Sequence, residues 1–434
     1  MVRTMRLTTS HLPGLVVTDH EFRVPLDHAR PDGQRITVFA REVVAPSRAR
    51  DDLPWLVYFQ GGPGFESFRP SGRGAWVGRA LTEYRVLLLD QRGTGRSTPI
   101  NRQTLARLGE PPAQADYLAL HRADAIVRDA EWIRREMTGE GTTWSVLGQS
   151  FGGFCVTTYL SLAPEGLREA FVTGGLPSLS ATADDVYRAT YPRVLERNRR
   201  HFERYPADEE RAAEVVEALR AARPRLPDGD PLTPHRFQTL GTAFGMSDGF
   251  ERVHYLLDEA FADGGGSRRE LADGFLLGVE AATGHSVNPL YVVLQEACYC
   301  QGTASRWAAE RLRTEFPEFD LASGRVRFTG EMMYPWMVEE YAALRPFREV
   351  AHLLAEQEDW PALYDRERLA GNEVPCAAVV YHDDMYVDAG LSLEAAGAIR
   401  GMRTWVTNEL DHDGVRLDGE RILAHLIELA RGER

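Results

Sequence analysis

The chain has 434 residues, 43% of them apolar and 26% charged, and a formal net charge of −14. That composition fits a globular protein in water, and the acidic balance argues against nucleic acid or an anionic membrane surface as a partner. The length exceeds one ordinary domain, so one large core with an inserted piece is expected.

The chain begins "MVRTMRLTTSHLPGLVV", which has basic residues but no continuous apolar stretch of the kind an export signal carries. No window reaches the roughly 18 consecutive apolar residues that a membrane helix needs. The four cysteines (Cys155, Cys298, Cys300, Cys376) are few for this length, and Cys298 and Cys300 lack the spacing of a zinc pair. Buried thiols in a reducing cytoplasm are therefore expected, with no disulfide framework. All the positive charge is arginine, since the chain contains no lysine.

The first ordered elements read as antiparallel strands, "EFRVPLDH" and "QRITVFAREVV" around the turn signal "ARPDG". A short apolar run, Trp55–Phe59, then stops at Gly-Gly-Pro-Gly. The segment "YRVLLLDQRGTGRS" repeats the plan, with a strand at 85–89 and a polar, glycine-rich loop. Apolar residues at 126, 127, 130, 133 and 137 have helical spacing. "TTWSVLGQS" reads as another strand and "FGGFCVTTYLSLA" as a helix. Alternating strands and helices predict a mostly parallel sheet with helices on both faces. From about 179 to 365 the texture becomes charged and amphipathic, as in "DDVYRATYPRVLERNRRHFERY", which predicts an α-helical cap. Strand texture returns with "VPCAAVVYHDD" and "MRTWVTNELDHDG" before a last helix. The expected division is thus a core of 1–178, a cap of 179–365 and a returning core of 366–434.

The chemistry concentrates in "GQSFG", a Gly-x-Ser-x-Gly pattern between a strand and a helix. A serine there sits on a sharp turn that lifts its hydroxyl above the sheet, next to unpaired N–H groups at the helix start. Ser150 is therefore the candidate nucleophile. Such a serine needs a base, and the base needs an orienting acid, expected in the chain order serine, acid, histidine. Only the segment after the cap can supply both. His412, in a loop after the strand at 402–407, is the candidate base; His425 lies within a helix. Asp384 is chosen as the acid over its neighbour Asp383. Asp90 precedes the serine and is read as a scaffold pair with Arg92. The oxyanion donors are expected to be the N–H groups of Phe151 and of Gly62, since Pro63 has none.

Taken together, "QGGPG", "DQRGTGRS", "GQSFGGF", "HDDMYVD" and "DHDG" resemble the α/β-hydrolase fold, and more narrowly its proline iminopeptidases. Gln60 and Phe151 stand where many relatives have histidine and tryptophan. The resemblance implies a serine peptidase that removes N-terminal proline from peptides, with Ser150, Asp384 and His412 as its triad. It also implies cap glutamates that meet the substrate's free amine. Glu296 and Glu331 are the candidates, because both stand among apolar neighbours. Tyr291, Tyr299, Tyr334 and Trp336 could line a pocket for the pyrrolidine ring. No cofactor or metal is expected, since histidines and carboxylates do not cluster at ligand spacing. Two alternatives share the scaffold: an esterase or broader aminopeptidase, and a ligand-binding descendant without turnover.

Overall fold

The computed structural model describes residues 5–262 and 270–434; the first four residues of the stretch read as a poor export signal lie outside it. Among the described residues, nine strands form one sheet in the order β1-β2-β3-β5-β4-β6-β7-β8-β9. They are β1 (Met5–Leu12), β2 (Leu15–Pro25), β3 (Arg35–Val44), β4 (Trp55–Phe59), β5 (Arg85–Asp90), β6 (Trp144–Gln149), β7 (Leu167–Thr173), β8 (Cys376–Tyr381) and β9 (Met402–Thr407). The first three pair antiparallel, and β3 also meets β5 antiparallel. From β5 to β9 every pairing is parallel. The hairpin β2–β3 was legible in its turn signal. β1 was not anticipated, because "MRLTTSHL" carries too few apolar residues to mark a strand.

Period-two alternation divides the buried side chains between the two faces of the sheet. Leu56, Tyr58, Val86 and Leu88 pack with Trp76, Ile422 and Leu426 on one face. Val57, Phe59, Leu87 and Leu89 pack on the other with Ile126, Ile133, Phe154 and Tyr159. The helices that cover the sheet include Ala123–Thr138, Phe151–Leu162 and Gly419–Arg431. Both faces are thus closed, and the strand ends are left as the place where loops meet.

Between β7 and β8 the described residues form helices and turns with only two isolated bridges. The longest helix there is Ala183–Arg204, which opens on a capping box between Thr182 and Asp185. This helical layer has its own core, and that core is not built from the inserted segment alone. Ile100, Leu105 and Leu118, from the stretch between β5 and β6, join it, as do Met385 and Tyr386 after β8. The expected pairing of Asp90 with Arg92 is corrected by the structure. Asp90 accepts from Arg69 Nη1 and Nη2 at 2.8 and 3.0 Å. Arg92 turns away instead, donating to Asp129 from Nε at 2.7 Å and to the Leu120 carbonyl at 2.6 Å. Just past β2, the Leu26 carbonyl accepts from Arg92 Nη1 at 2.8 Å.

No helix among the described residues is long and apolar enough to cross a membrane. The four cysteines are buried free thiols.

The crossing of β4, β6 and the helix after it is tight enough to dictate glycine. A Cβ on Gly152 would lie 2.0 Å from the Phe59 carbonyl oxygen, and one on Gly148 would lie 2.2 Å from that of Gly152. Because those obstacles are backbone, relief requires the helix to move. Gly152→Ala is expected to lower stability by ~1–3 kcal/mol, the range for overpacked cores, read as an earlier urea midpoint.

Candidate active site

Ser150 stands between β6 and the helix Phe151–Leu162 with φ 54° and ψ −125°. A non-glycine residue in that region stores roughly 1–3 kcal/mol and persists only where its surroundings over-determine it. Here they do. The Ser150 N–H donates to the Thr173 carbonyl at 3.0 Å, and its own carbonyl accepts from Gly153 N–H at 2.7 Å. Gly61 lies against it, with a position for Cβ 3.1 Å from that of Ser150. Phe151 is the first residue of the helix, so its N–H has no intrahelical acceptor. Gly62 takes φ 125°, a backbone conformation that glycine adopts readily.

Asp384 and His412 come from loops that leave the neighbouring strands β8 and β9. His412 Nδ1 lies 2.6 Å from Asp384 Oδ2. The other carboxylate oxygen accepts the N–H groups of Tyr386 and Val387 at 2.8 and 3.2 Å. Since a carboxylate only accepts, the proton between the pair sits on Nδ1 and Nε2 is left as the acceptor. Asp383 does something else: Arg200 donates to it at 2.8 Å and His382 Nδ1 lies 2.8 Å from it. The Arg200 bond, with help from His382, holds its carboxyl down at about 2. Between the two aspartates left open by the sequence, Asp384 is the one in contact with His412.

The segment just past β7 approaches both this pair and the serine. Gly174 and Gly175 are consecutive. A Cβ on the first would lie 3.4 Å from His412 Nδ1, and a Cβ on the second 2.1 Å from the Ser150 carbonyl oxygen. His425, by contrast, lies on the last helix against the Trp405 ring, 4.6 Å between centroids.

The helical layer grips both loops. Arg193, Arg197 and Arg200 recur at i, i+4 and i+7 on the helix Ala183–Arg204, a spacing that aligns them on one face. Arg193 pairs with Asp388 at 3.0 Å. Arg197, 6% exposed, donates to the Asp383 carbonyl at 2.7 Å and reaches Asp411 at 2.5 Å, tying the aspartate loop to the histidine loop. The His412 N–H donates to the Gly245 carbonyl at 3.2 Å, and Ser247 holds Asp413 at 3.1 Å. Sequence reading missed these residues, although the three arginines on one face of a predicted helix were a visible signal. It also missed Tyr386, whose ring packs 4.6 Å from that of His412.

The two glutamates have different surroundings. Glu296 points both oxygens at the start of the helix Ala308–Leu312, accepting the Ala308 and Ala309 N–H groups at 3.1 and 3.0 Å. Burial raises its pKa, and those backbone donors only partly offset the effect. Its charge is thus engaged by the fold, the structural alternative to an amine ligand. Glu331 accepts from Tyr291 Oη at 2.5 Å and from Gln295 Nε2 at 3.0 Å, both neutral donors. Desolvation pushes it up to about 7, against the Tyr291 bond and the nearby His412. His412 is itself raised. Burial disfavours its charge, but Asp384, Glu331 and Asp413 together favour it more. Of the four aromatics named from the sequence, Tyr291 and Tyr299 stand at this glutamate, Tyr299 within 3.4 Å of Gln295. Tyr334 and Trp336 stack on each other at 5.6 Å in the helical layer, and Tyr334 meets Tyr191 at 3.2 Å. No group of three His, Cys, Asp or Glu among the described residues is placed to hold a metal ion.

A family profile for the alpha/beta hydrolase fold matches residues 54–242. A proline iminopeptidase of Aeromonas sobria is 49% identical over 422 residues, covering 97% of this chain and 98% of that one. A proline iminopeptidase of Aspergillus aculeatus is 35% identical over 420 residues, 95% of this chain and 93% of that one. Among solved structures, a proline iminopeptidase of Mycobacterium smegmatis overlies 95% of this chain and 98% of its own with a TM-score of 0.46 and 13% identity.

The Glu296 contacts make a stability statement. Glu296→Gln turns an amide NH2 toward a backbone donor, so one N–H loses its acceptor. A loss of ~1–3 kcal/mol is expected in urea unfolding.

Proposed function

The chain belongs to the proline iminopeptidases of the α/β-hydrolase fold, and on that premise we propose that Ser150, His412 and Asp384 release N-terminal proline through an acyl-enzyme. Ser150 Oγ attacks the prolyl carbonyl carbon while His412 Nε2 takes its proton. Negative charge then develops on the carbonyl oxygen, where the Phe151 and Gly62 N–H groups donate to it. The tetrahedral intermediate collapses as His412 gives the proton to the leaving peptide's nitrogen. Water, deprotonated by the same imidazole, then hydrolyses the prolyl ester. Asp384 holds the Nδ1–H tautomer and stabilises the imidazolium. The peptide substrate's free N-terminus and a helical cap domain over residues 179–365 belong to the same reading.

One observation separates an aminopeptidase from an esterase on this scaffold. Glu331 is desolvated, held only by the neutral donors Tyr291 and Gln295, and lies within the field of the His412–Asp384 pair. A carboxylate pressed largely out of water without a cationic partner is costly. The α-ammonium of a peptide, ordinarily charged below about 8, supplies that partner. Glu331 therefore takes the amine, and Glu296, occupied by a helix start, supports the wall behind it. Tyr291 and Tyr299 flank the ring of the proline.

Comparing proline, alanine and N-acetylproline naphthylamides tests this reading. Release from free proline and none from the acetylated form is expected; acetylproline or simple esters cleaved equally well would favour the esterase. Asp384→Asn is expected to lower kcat about 10⁴-fold, and Asp383→Asn to leave it within about fivefold. Stopped assays on the two variants distinguish them.

The pH dependence has a definite sign. Glu331 must be ionised and His412 neutral for kcat/KM, and both conditions fail as pH falls. With Glu331 at about 7, the acid limb lies near neutrality, and the alkaline limb follows loss of the substrate's ammonium above about 8. Glu331→Gln is expected to lower kcat/KM by on the order of 10²–10³. It also removes a charge that favours the imidazolium, so its acid limb moves to lower pH, which a pH–rate profile reads directly.

A further inference from the structure

Gln295 uses only one end of its amide in the fold. Its Nε2 donates to Glu331 Oε2 at 3.0 Å and to Tyr299 Oη at 3.4 Å. A carboxylate only accepts, so the NH2 end must face the glutamate, and the carbonyl end is the one left over. Gln295 is 3% exposed, and its Oε1 is buried without a hydrogen-bond partner. Buried acceptors are as a rule paired, and one left without a donor is costly. This one belongs to the same amide that holds Glu331.

The segment that carries Gln295 touches the elements around Ser150 on either side of that residue. Just before it, Tyr291 meets the loop of Gly62: its ring lies 5.2 Å from that of Phe65, and a Cβ on Gly64 would come within 2.7 Å of the Tyr291 nitrogen. Just after it, the Tyr299 ring lies 6.0 Å from that of Phe154, on the helix that starts at Phe151. A single carbon separates the amine of an N-terminal residue from its carbonyl, so an amine held at Glu331 stays close to this segment. Resting on the aminopeptidase reading, we propose that Gln295 Oε1 is the second acceptor for the substrate's amine. The nitrogen of an N-terminal proline is bonded to two carbons, so its cation carries two N–H groups. Glu331 takes one and supplies the opposite charge; Gln295 Oε1 takes the other. The amide then works at both ends, its NH2 fixing the carboxylate and its oxygen receiving the substrate. Two acceptors turn the ring as well as hold it, whereas a lone carboxylate would only hold it.

The test compares kcat/KM for prolyl and N-methylprolyl naphthylamides in the wild-type enzyme and in Gln295→Met, whose side chain has similar length and neither amide group. The N-methyl cation keeps its charge and one N–H but loses the other. The wild type is expected to prefer the prolyl substrate by about ten- to a hundredfold, the range for one hydrogen bond to a charged group. In Gln295→Met, kcat/KM for the prolyl substrate is expected to fall by a similar factor and the preference to shrink to within about threefold. Glu331 also loses a donor in that variant, but weaker charge pairing lowers both substrates alike, so the ratio reports the amide oxygen alone. Equal wild-type values for the two substrates would overturn the proposal without any variant. So would a Gln295→Met enzyme that keeps the wild-type preference. A wild-type enzyme that releases naphthylamine from acetylproline as readily as from proline would instead remove the aminopeptidase reading, and this proposal with it.

Discussion

The hydrogen bond from His412 Nδ1 to Asp384 Oδ2, 2.6 Å long, joins two loops that the sheet alone would not align. β8 and β9 are parallel neighbours, so their ends lie side by side, but a loop's side chain is not aimed by the strand before it. The aim comes from above. Arg197 spans both loops, Arg193 and Arg200 hold the first, and the 245–247 segment holds the second. The helical layer therefore does more than cover the site. It fixes the geometry of the pair on which any proton transfer depends.

The serine is constrained from below by different means. Its backbone lies in a sparsely populated region, and glycines at 148, 152 and 175 let three main chains crowd around it. Strain of that kind belongs to the rigid sheet, where the cost is spread over many contacts. Ser150 and the His412–Asp384 pair thus rest on separate supports, the serine on the sheet and the pair on the contact between the sheet's loops and the helical layer. A displacement of the helix Ala183–Arg204 would disturb His412 before it disturbed Ser150.

Charge couples the same parts. Glu331 and His412 each shift the other's proton affinity, in opposite directions for binding and for base catalysis. An empty site with Glu331 ionised favours a protonated, idle imidazole. Under the proposed function, an ammonium at the glutamate weakens that pull and the imidazole returns toward its basic form. On that proposal the amine would be more than a handle for affinity, because its arrival would prepare the base.

Much of this was legible in the residues alone. Local patterns marked the strands at 55–59, 85–90, 144–149, 376–381 and 402–407 and the elbow at Ser150, because periodicity and glycine placement are short-range signals. Chain order pointed to His412 and to one of two adjacent aspartates. Contacts across long separations were not legible. Asp383 and Asp384 have the same chemistry and nearly the same neighbours in sequence, and only the packing of Arg200 against one and His412 against the other tells them apart. Glu296 and Glu331 likewise look alike as carboxylates in apolar stretches. One meets a helix start twelve residues on and the other meets Tyr291, forty residues back. The helices at 102–105 and 111–119 escaped for the same reason, since their apolar residues face a core assembled mostly from a distant part of the chain. Sequence determined which chemical groups exist and where the backbone bends. Tertiary structure decided which of them meet, because burial and pairing are properties of folded neighbours rather than of the order along the chain.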